Sequence, residues 1–158
     1  MKALIVSDTH GHNANFLKLL EMHHPDAVVH CGDVEGGEQG IREAVSCPLY
    51  MVSGNNDFFS SLPREMEFSL GGKRVFLTHG HHYYVSMSPE YLREEGLARN
   101  AQIVMYGHTH KPGVIYSDGI TLVNPGSLAY PRQEGRRPSY VIMEVDRKGE
   151  VHFTIAYL

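Results

Sequence analysis

The sequence predicts an α/β fold, with one domain over residues 1–158 built from two packed mixed β-sheets covered by helices. Three observations carry this. A chain of 158 residues can bury one core of ordinary size and is short for two. The first third alternates short apolar runs with helical periods, the order of parallel βαβ units. The last third is rich in short strands separated by turn residues.

Ala3–Val6 is an apolar run that ends in Ser7-Asp8 and reads as a buried strand. Residues 14–23 follow a helical period, with Phe16, Leu17, Leu19 and Leu20 on or near one face. Asn13 is the expected N-cap, and Pro25 stops the helix. Ala27–Val29 is a second strand, residues 39–45 a short helix, and Leu49–Val52 a third strand. Glu65–Leu70 and Arg74–Leu77 flank Gly71-Gly72 and read as a hairpin. Ser88-Pro89 supplies a capping hydroxyl and a first-turn proline for a helix running to about Arg99. Ile103–Tyr106 is another buried strand. Strands follow at 113–116, 120–123, 140–145 and 151–157, with turns at Ser117-Asp118-Gly119 and Arg147-Lys148-Gly149.

Hydrophobic residues make up 42% and charged residues 20%, the balance of a soluble globular protein. A net charge of -4 gives no global attraction to nucleic acid or anionic lipid. The cluster Arg132, Arg136 and Arg137 reads as a solvated loop. No run approaches the roughly 18 apolar residues of a membrane span. The chain enters a strand at Lys2 without the pattern of a signal peptide. Cys31 and Cys47 match no metal or redox spacing, so reduced thiols and a cytoplasmic location are expected.

Metal-ligating side chains recur where apolar runs stop: Asp8 and His10, Asp33, Asn55, His79, then His108 and His110. Seven such donors exceed what one small cation can use, and a bridging carboxylate lets two cations share them. Asp33, at the tip of a central strand, is the expected bridge. The pairs Asp8/His10 and His108/His110 have a period of two, which on extended backbone puts both side chains on one face. Mixed nitrogen and oxygen donors suit Mn, Fe, Zn, Ni or Co better than Ca or Mg, with Mn2+ the leading expectation. Isolated histidines such as His30 and His152 read as structural.

The motifs Asp8-Thr9-His10, Gly32-Asp33, Gly54-Asn55-Asn56-Asp57, His79-Gly80-His81 and Gly107-His108-Thr109-His110 resemble those of the calcineurin-like metallophosphoesterase superfamily. Together with Asn124-Pro125-Gly126-Ser127, they resemble its small bacterial and archaeal phosphodiesterase branch. The resemblance implies a four-layer α/β/β/α sandwich. It implies a first metal on Asp8, His10 and His110, a second on Asn55, His79 and His108, and Asp33 between them. It further implies hydrolysis of small phosphate esters by in-line attack of a hydroxide bridging two metals. Asp33, Asn55, Asn56 and His79 would then serve catalysis, and Asn55, Asn56 and His81 would contact substrate.

One position departs from the pattern. Many members carry His where this chain has Asn56, and an amide can donate a hydrogen bond but cannot deliver a proton at neutral pH. Asp57 could orient a neighbour or cap its loop. Asn124 and Ser127 read first as a structural turn, and Arg132 as a candidate phosphate contact. Phe58-Phe59 could be core, a substrate wall or a subunit contact; packing inside is the expectation, with a homo-oligomer contact as the alternative. Gly36-Gly37-Glu38-Gln39-Gly40 lacks the Lys-Ser/Thr of a nucleotide-binding loop. The rival class is a scaffold similar to the retromer subunit of the superfamily, which should have lost ligands. The acidic balance and the absence of a basic, aromatic-lined stripe disfavour long nucleic acid as substrate, while small cyclic or linear nucleotide diesters remain open.

Overall fold

The apolar runs form ten strands in two five-stranded sheets, and the computed structural model describes residues 1–158. The first sheet holds β1 (Lys2–Val6), β2 (Ala27–His30), β3 (Leu49–Met51), β9 (Ser139–Val145) and β10 (Val151–Tyr157), in the order β10-β9-β1-β2-β3. The expected βαβ units are present. β1 pairs parallel with β2, in register Ala3 to Ala27, and β2 parallel with β3. The crossovers carry α1 (Ala14–His23) and α2 (Glu38–Ala44). β9 joins β1 antiparallel and makes the sheet mixed.

The second sheet runs β4-β5-β6-β8-β7, from β4 (Glu65–Leu70), β5 (Lys73–Thr78), β6 (Ile103–Met105), β7 (Pro112–Ser117) and β8 (Ile120–Pro125). The β4–β5 hairpin turns on Gly71 and Gly72, both at positive φ, the geometry a two-residue turn of this hand requires. α3 (Glu90–Ala98) covers this sheet.

Alternation along each strand explains the layering. Ala3, Ile5 and Val29 face inward and meet Val75, Leu77, Met105 and Val123 of the second sheet. Their neighbours Leu4, Val6 and Val28 face outward and pack against Phe16, Leu19 and Ile41 of α1 and α2. On the far side, Phe76, Val104 and Leu122 pack against Leu92 of α3. Both faces of the central strands are therefore buried, which is why they read as continuous apolar runs. The result is a four-layer α/β/β/α sandwich.

Three local expectations change. Asn13 sits at the N-cap position of α1, but its side chain does not cap; Nδ2 donates instead to Gly37 O at 2.9 Å and ties α1 to the start of α2. Pro89 takes the N-cap position of α3, and Ser88 Oγ accepts from the Glu90 N–H at 3.2 Å, so the helix begins one residue late. Phe58 and Phe59 do not pack inside: they are 79% and 104% exposed. The Asp57 carboxylate is drawn inward by the N–H groups of Val34, Glu35 and Gly54, and the next two residues turn outward.

Phe16 is fully buried between α1 and the outer face of the first sheet. Phe16→Ala is expected to cost about 3–5 kcal/mol by urea denaturation, from lost burial and the cavity left behind. A loss below about 1 kcal/mol would contradict this packing.

Candidate metal centre

Each ligand-bearing loop leaves the carboxyl end of a strand, and the loops go on hydrogen-bonding where the strands stop. Asp8 N donates to Gly32 O at 3.0 Å, His10 N to Asp33 O at 2.9 Å, and Gly11 N to Val34 O at 2.9 Å. Gly107 N donates to His79 O at 3.1 Å, which links the loops of β5 and β6. The sheets are joined across the site: the His108 N–H points at Asp8 Oδ2, 3.3 Å away.

The loop backbone is unusual. Asp8, His10, Asp33, His108 and His110 have φ of 55°, 45°, 57°, 69° and 56°. Non-glycine residues in this left-handed region cost about 1–3 kcal/mol each and gather at functional sites. This also corrects the expected reason for the Asp8/His10 and His108/His110 pairings. β1 ends at Val6 and β6 at Met105, so neither pair lies on extended backbone. Left-handed turns, rather than strand alternation, bring both members of each pair to the site.

Asp8, His10, Asp33 and His110 place ligand atoms within 4.8 Å of one another. His110 Nε2 lies 3.0 Å from Asp8 Oδ1, and His10 Nε2 lies 3.7 Å from the same oxygen. Asp33 Oδ2 is 3.8 Å from His10 Nε2 and 3.4 Å from His79 Nε2. On the far side of Asp33, Asn55 Oδ1 lies 3.1 Å from His79 Nε2. The His108 ring centroid is 5.3 Å from that of His79. One oxygen of Asp33 thus faces both groups of residues.

The hydrogen bonds of the rings define what they offer. His79 Nδ1 lies 2.7 Å from Cys31 O, and His110 Nδ1 2.7 Å from Tyr130 O. A carbonyl can only accept, so each Nδ1 carries the proton and, in the neutral ring, each Nε2 is left as a lone pair. His10 Nδ1 is held in the same sense by Glu35 Oε1 at 3.0 Å. Three lone pairs therefore converge on Asp8, Asp33 and the Asn55 carbonyl. Acceptors facing acceptors need a cation between them. Asp8 Oδ1 is buried without a hydrogen-bond donor, the orphaned atom such a cation would satisfy.

Among protein groups alone, protons fill that role. Burial works to raise the Asp8 carboxyl, but the imidazoles of His10 and His110 beside Oδ1, once protonated at Nε2, outweigh it and hold the group well below the usual range. Burial likewise opposes ionisation of Asp33, and His79 and Asn56 bring it down to about 2. Burial would lower His10, yet Asp8 and Glu35 raise it to about 9. His79 is raised, burial being overcome by Asp33 and Asp8. Burial lowers His108, assisted by His79. Divalent ions would displace these protons.

Around the seven candidate ligands, Asn56 is fully engaged with Asp33: its backbone N–H donates to Oδ1 at 2.9 Å and Nδ2 to Oδ2 at 2.7 Å. His81 lies on a 3-10 turn (His81–Tyr83), its ring 5.4 Å from that of His79 and 3.9 Å from that of His82. Burial and the neighbouring imidazoles push it down to about 4, and its Nδ1 is buried without a partner. Asp57 is a loop cap. Asn124 donates to Gly107 O and Thr109 Oγ1, and Ser127 to Asp8 O, so both hold ligand loops in place. Arg132 lies in a cleft with Tyr130 and Arg136, and its N–H donates to His110 O. His30 is a buried strut between Thr9 and Gly32, pushed to about 4 by burial.

Glu35, and the backbone carbonyls of Cys31 and Tyr130, were not found by sequence reasoning. A carbonyl has no residue signature. Glu35 gave a single cue, lying two residues past Asp33, the spacing that joins Asp8 to His10. Two glycines were also missed as site residues. A Cβ at Gly54 would lie 2.1 Å from Asp33 Oδ1, and one at Gly107 2.1 Å from Ser7 Oγ and 2.9 Å from Asp8 Oδ2. Both carboxylates need bare backbone beside them.

The family model of the calcineurin-like phosphoesterase superfamily domain matches residues 1–148. A probable metallophosphoesterase of Mycoplasma genitalium is 32% identical over 163 residues, covering 99% of this chain and 95% of its own length. A phosphodiesterase of Methanocaldococcus jannaschii is 30% identical over 144 residues, covering 80% of this chain and 83% of its own. The crystal structure of a predicted phosphoesterase from Streptococcus pneumoniae TIGR4 superposes with a TM-score of 0.81 at 26% identity, covering 99% of this chain and 97% of that one.

Two outcomes are expected. Protonated His10 stabilises the metal-stripped protein fully below its unfolded value of 6.5, and that contribution is lost as pH rises through about 9. Metal needs the neutral ring, so its affinity rises over the same window. The gap in Tm between loaded and stripped protein should therefore widen from pH 6.5 to 9; a narrowing gap contradicts the assignment. Gly54→Ala should displace Asp33 and weaken metal binding by at least about tenfold in calorimetry, while far-ultraviolet circular dichroism stays unchanged.

Proposed function

The chain belongs to the calcineurin-like phosphoesterase superfamily, and on that premise we propose that it is a dinuclear metal-dependent phosphodiesterase acting on small phosphate esters. The observation that carries this is the position of Asp33 Oδ2, within 4 Å of imidazole nitrogens on both sides of the centre. A second reading, a module that kept the fold and lost the chemistry, predicts a lost His or Asp, whereas all seven candidate ligands are present here.

Asp8, His10 and His110 would hold one ion, Asn55, His79 and His108 the other, with Asp33 shared. Manganese is the leading choice, with nickel, iron, zinc and cobalt compatible with the same donors. Such a pair supplies Lewis-acid activation of water and offsets the charge of a phosphoryl group. The rest falls to the chain. Glu35 and the carbonyls of Cys31 and Tyr130 fix the ring orientations. Asn56 holds the Asp33 carboxylate at both oxygens. Asn55 and His81 line one cleft beside the centre, where an ester oxygen would lie.

The position of Asn56 sets a limit. Its amide is committed to Asp33 and cannot give a proton to a departing alkoxide. Esters with acidic leaving groups should therefore be hydrolysed well and alkyl esters poorly. Diester chemistry, rather than monoester, is favoured by the likeness to the archaeal phosphodiesterase. Free thiols at Cys31 and Cys47 suit a reducing compartment, and we place the protein in the cytoplasm. No helix is long and apolar enough to cross a membrane.

Metal-stripped protein reconstituted with single metals and given a chromogenic aryl phosphodiester tests the proposal. Manganese should restore turnover. Asp33→Asn and His79→Ala should each lower it by at least about a hundredfold with the fold intact, since even groups behind the ligands cost up to that much. Full activity in either variant would refute the site. Across esters of graded leaving-group pKa the rate should fall steeply; a flat series, with chemistry rate-limiting, contradicts the role given to Asn56.

A further inference from the structure

The segment that carries Arg132 and Arg136 reads in sequence as a solvated loop, but the structure pins it beside the metal centre. Arg132 N donates to His110 O at 2.9 Å, and Arg136 N to Gln133 O at 3.1 Å. Gln133 Nε2 donates to Arg137 O at 2.5 Å, and Arg137 Nε to Leu158 O at 3.1 Å. Arg136 has a φ of 44°, the same left-handed backbone found beneath the candidate ligands.

This held segment lines a cleft of about 440 Å³, together with Tyr130 and Pro131. Tyr130 joins the cleft to the centre. Its carbonyl accepts from His110 Nδ1 at 2.7 Å, and its ring centroid lies 5.1 Å from that of His10. One residue thus borders both the cleft and the half of the centre formed by His10 and His110.

The cleft is a local exception in charge. The chain carries -4 overall, which opposes the approach of a multiply charged anion. Arg42, Arg74, Arg93 and Arg99 each meet a glutamate within 4.0 Å. Arg132 and Arg136 meet none, and no carboxylate lines their cleft. The cleft with Asn55 and His81 instead balances one arginine, Arg64, against one carboxylate, Asp57. Two unpaired guanidinium groups on a fixed backbone suit a phosphate or carboxylate, whose oxygens match their planar donors.

We propose that this cleft binds an anionic group, a phosphate or a carboxylate, carried on one arm of the ester whose phosphorus sits at the centre. The inference rests on the phosphodiesterase reading and names its substrate class: esters with a second negative group.

Two measurements test it. In proton–nitrogen NMR of the metal-stripped protein, inorganic phosphate should shift the side-chain Nε–Hε signals of Arg132 and Arg136. In kinetics with manganese-loaded protein, three 4-nitrophenyl phosphodiesters are compared, with 2-methoxyethyl, 2-carboxyethyl or 2-phosphonooxyethyl as the second arm. An anionic arm should lower KM about fivefold against the methoxy arm, the upper range for one exposed ion pair. Arg132→Gln with Arg136→Gln should bring that KM ratio close to one. Arg132→Lys with Arg136→Lys should keep part of it, because the charge remains and the planar fork does not. A preference for one anionic arm alone supports the cleft and identifies the group. Shifted signals with one KM for all three esters mean a site for free anions, and overturn the substrate assignment. Unshifted signals and equal KM values, with the esters hydrolysed, sink the cleft and leave the phosphodiesterase standing. Shifted signals with no ester hydrolysed under any metal leave the anion site and sink the enzyme reading.

Discussion

Two buried carboxylates pressed against imidazole nitrogens need a positive charge among them, and much of the molecule is arranged around that need. Asp8 and Asp33 are almost without solvent contact, and an unpaired charge in such a place costs on the order of several kcal/mol. The first sheet brings Asp8, His10, Asp33 and Asn55; the second brings His79, His108 and His110. Neither half is a site alone. The packing of Ile5, Val29, Leu77 and Met105 between the sheets is what sets the distances between the two sets of donors. Stability and the geometry of the candidate centre are coupled through that shared core.

The same charge balance runs through the protonation states. Without metal, the centre takes up protons on His10 and His79; a bound metal would displace them. Metal loading and pH therefore act on one equilibrium. The hydrogen bonds from Nδ1 to fixed carbonyls matter because they decide which nitrogen takes part.

Much of this was legible in the sequence. The strands with both faces buried announce themselves as apolar runs, and a candidate ligand stands two to four residues past the end of each run in β1, β2, β3, β5 and β6. The layer order follows from the βαβ pattern and the hairpins. What stayed hidden has physical reasons. Backbone direction past a strand end leaves little trace in residue type, so the period-two reading of Asp8/His10 reached the right grouping through the wrong geometry. Ring tautomers are set by the carbonyls of Cys31 and Tyr130, which any residue could supply. Phe58 and Phe59 look like core residues in sequence, and only the inward pull on Asp57 shows that they turn away from it.

The left-handed backbone beneath Asp8, His10, Asp33, His108 and His110 also constrains how this centre can change over generations. Asparagine and glycine tolerate such φ values, while valine or isoleucine would strain the loop and risk the fold. Genetic drift in a lineage that no longer needed the metals would be channelled through a few replacements. A descendant of that kind would keep recognisable loops with asparagine or glycine where the donors stood, a scar readable long after the chemistry had gone.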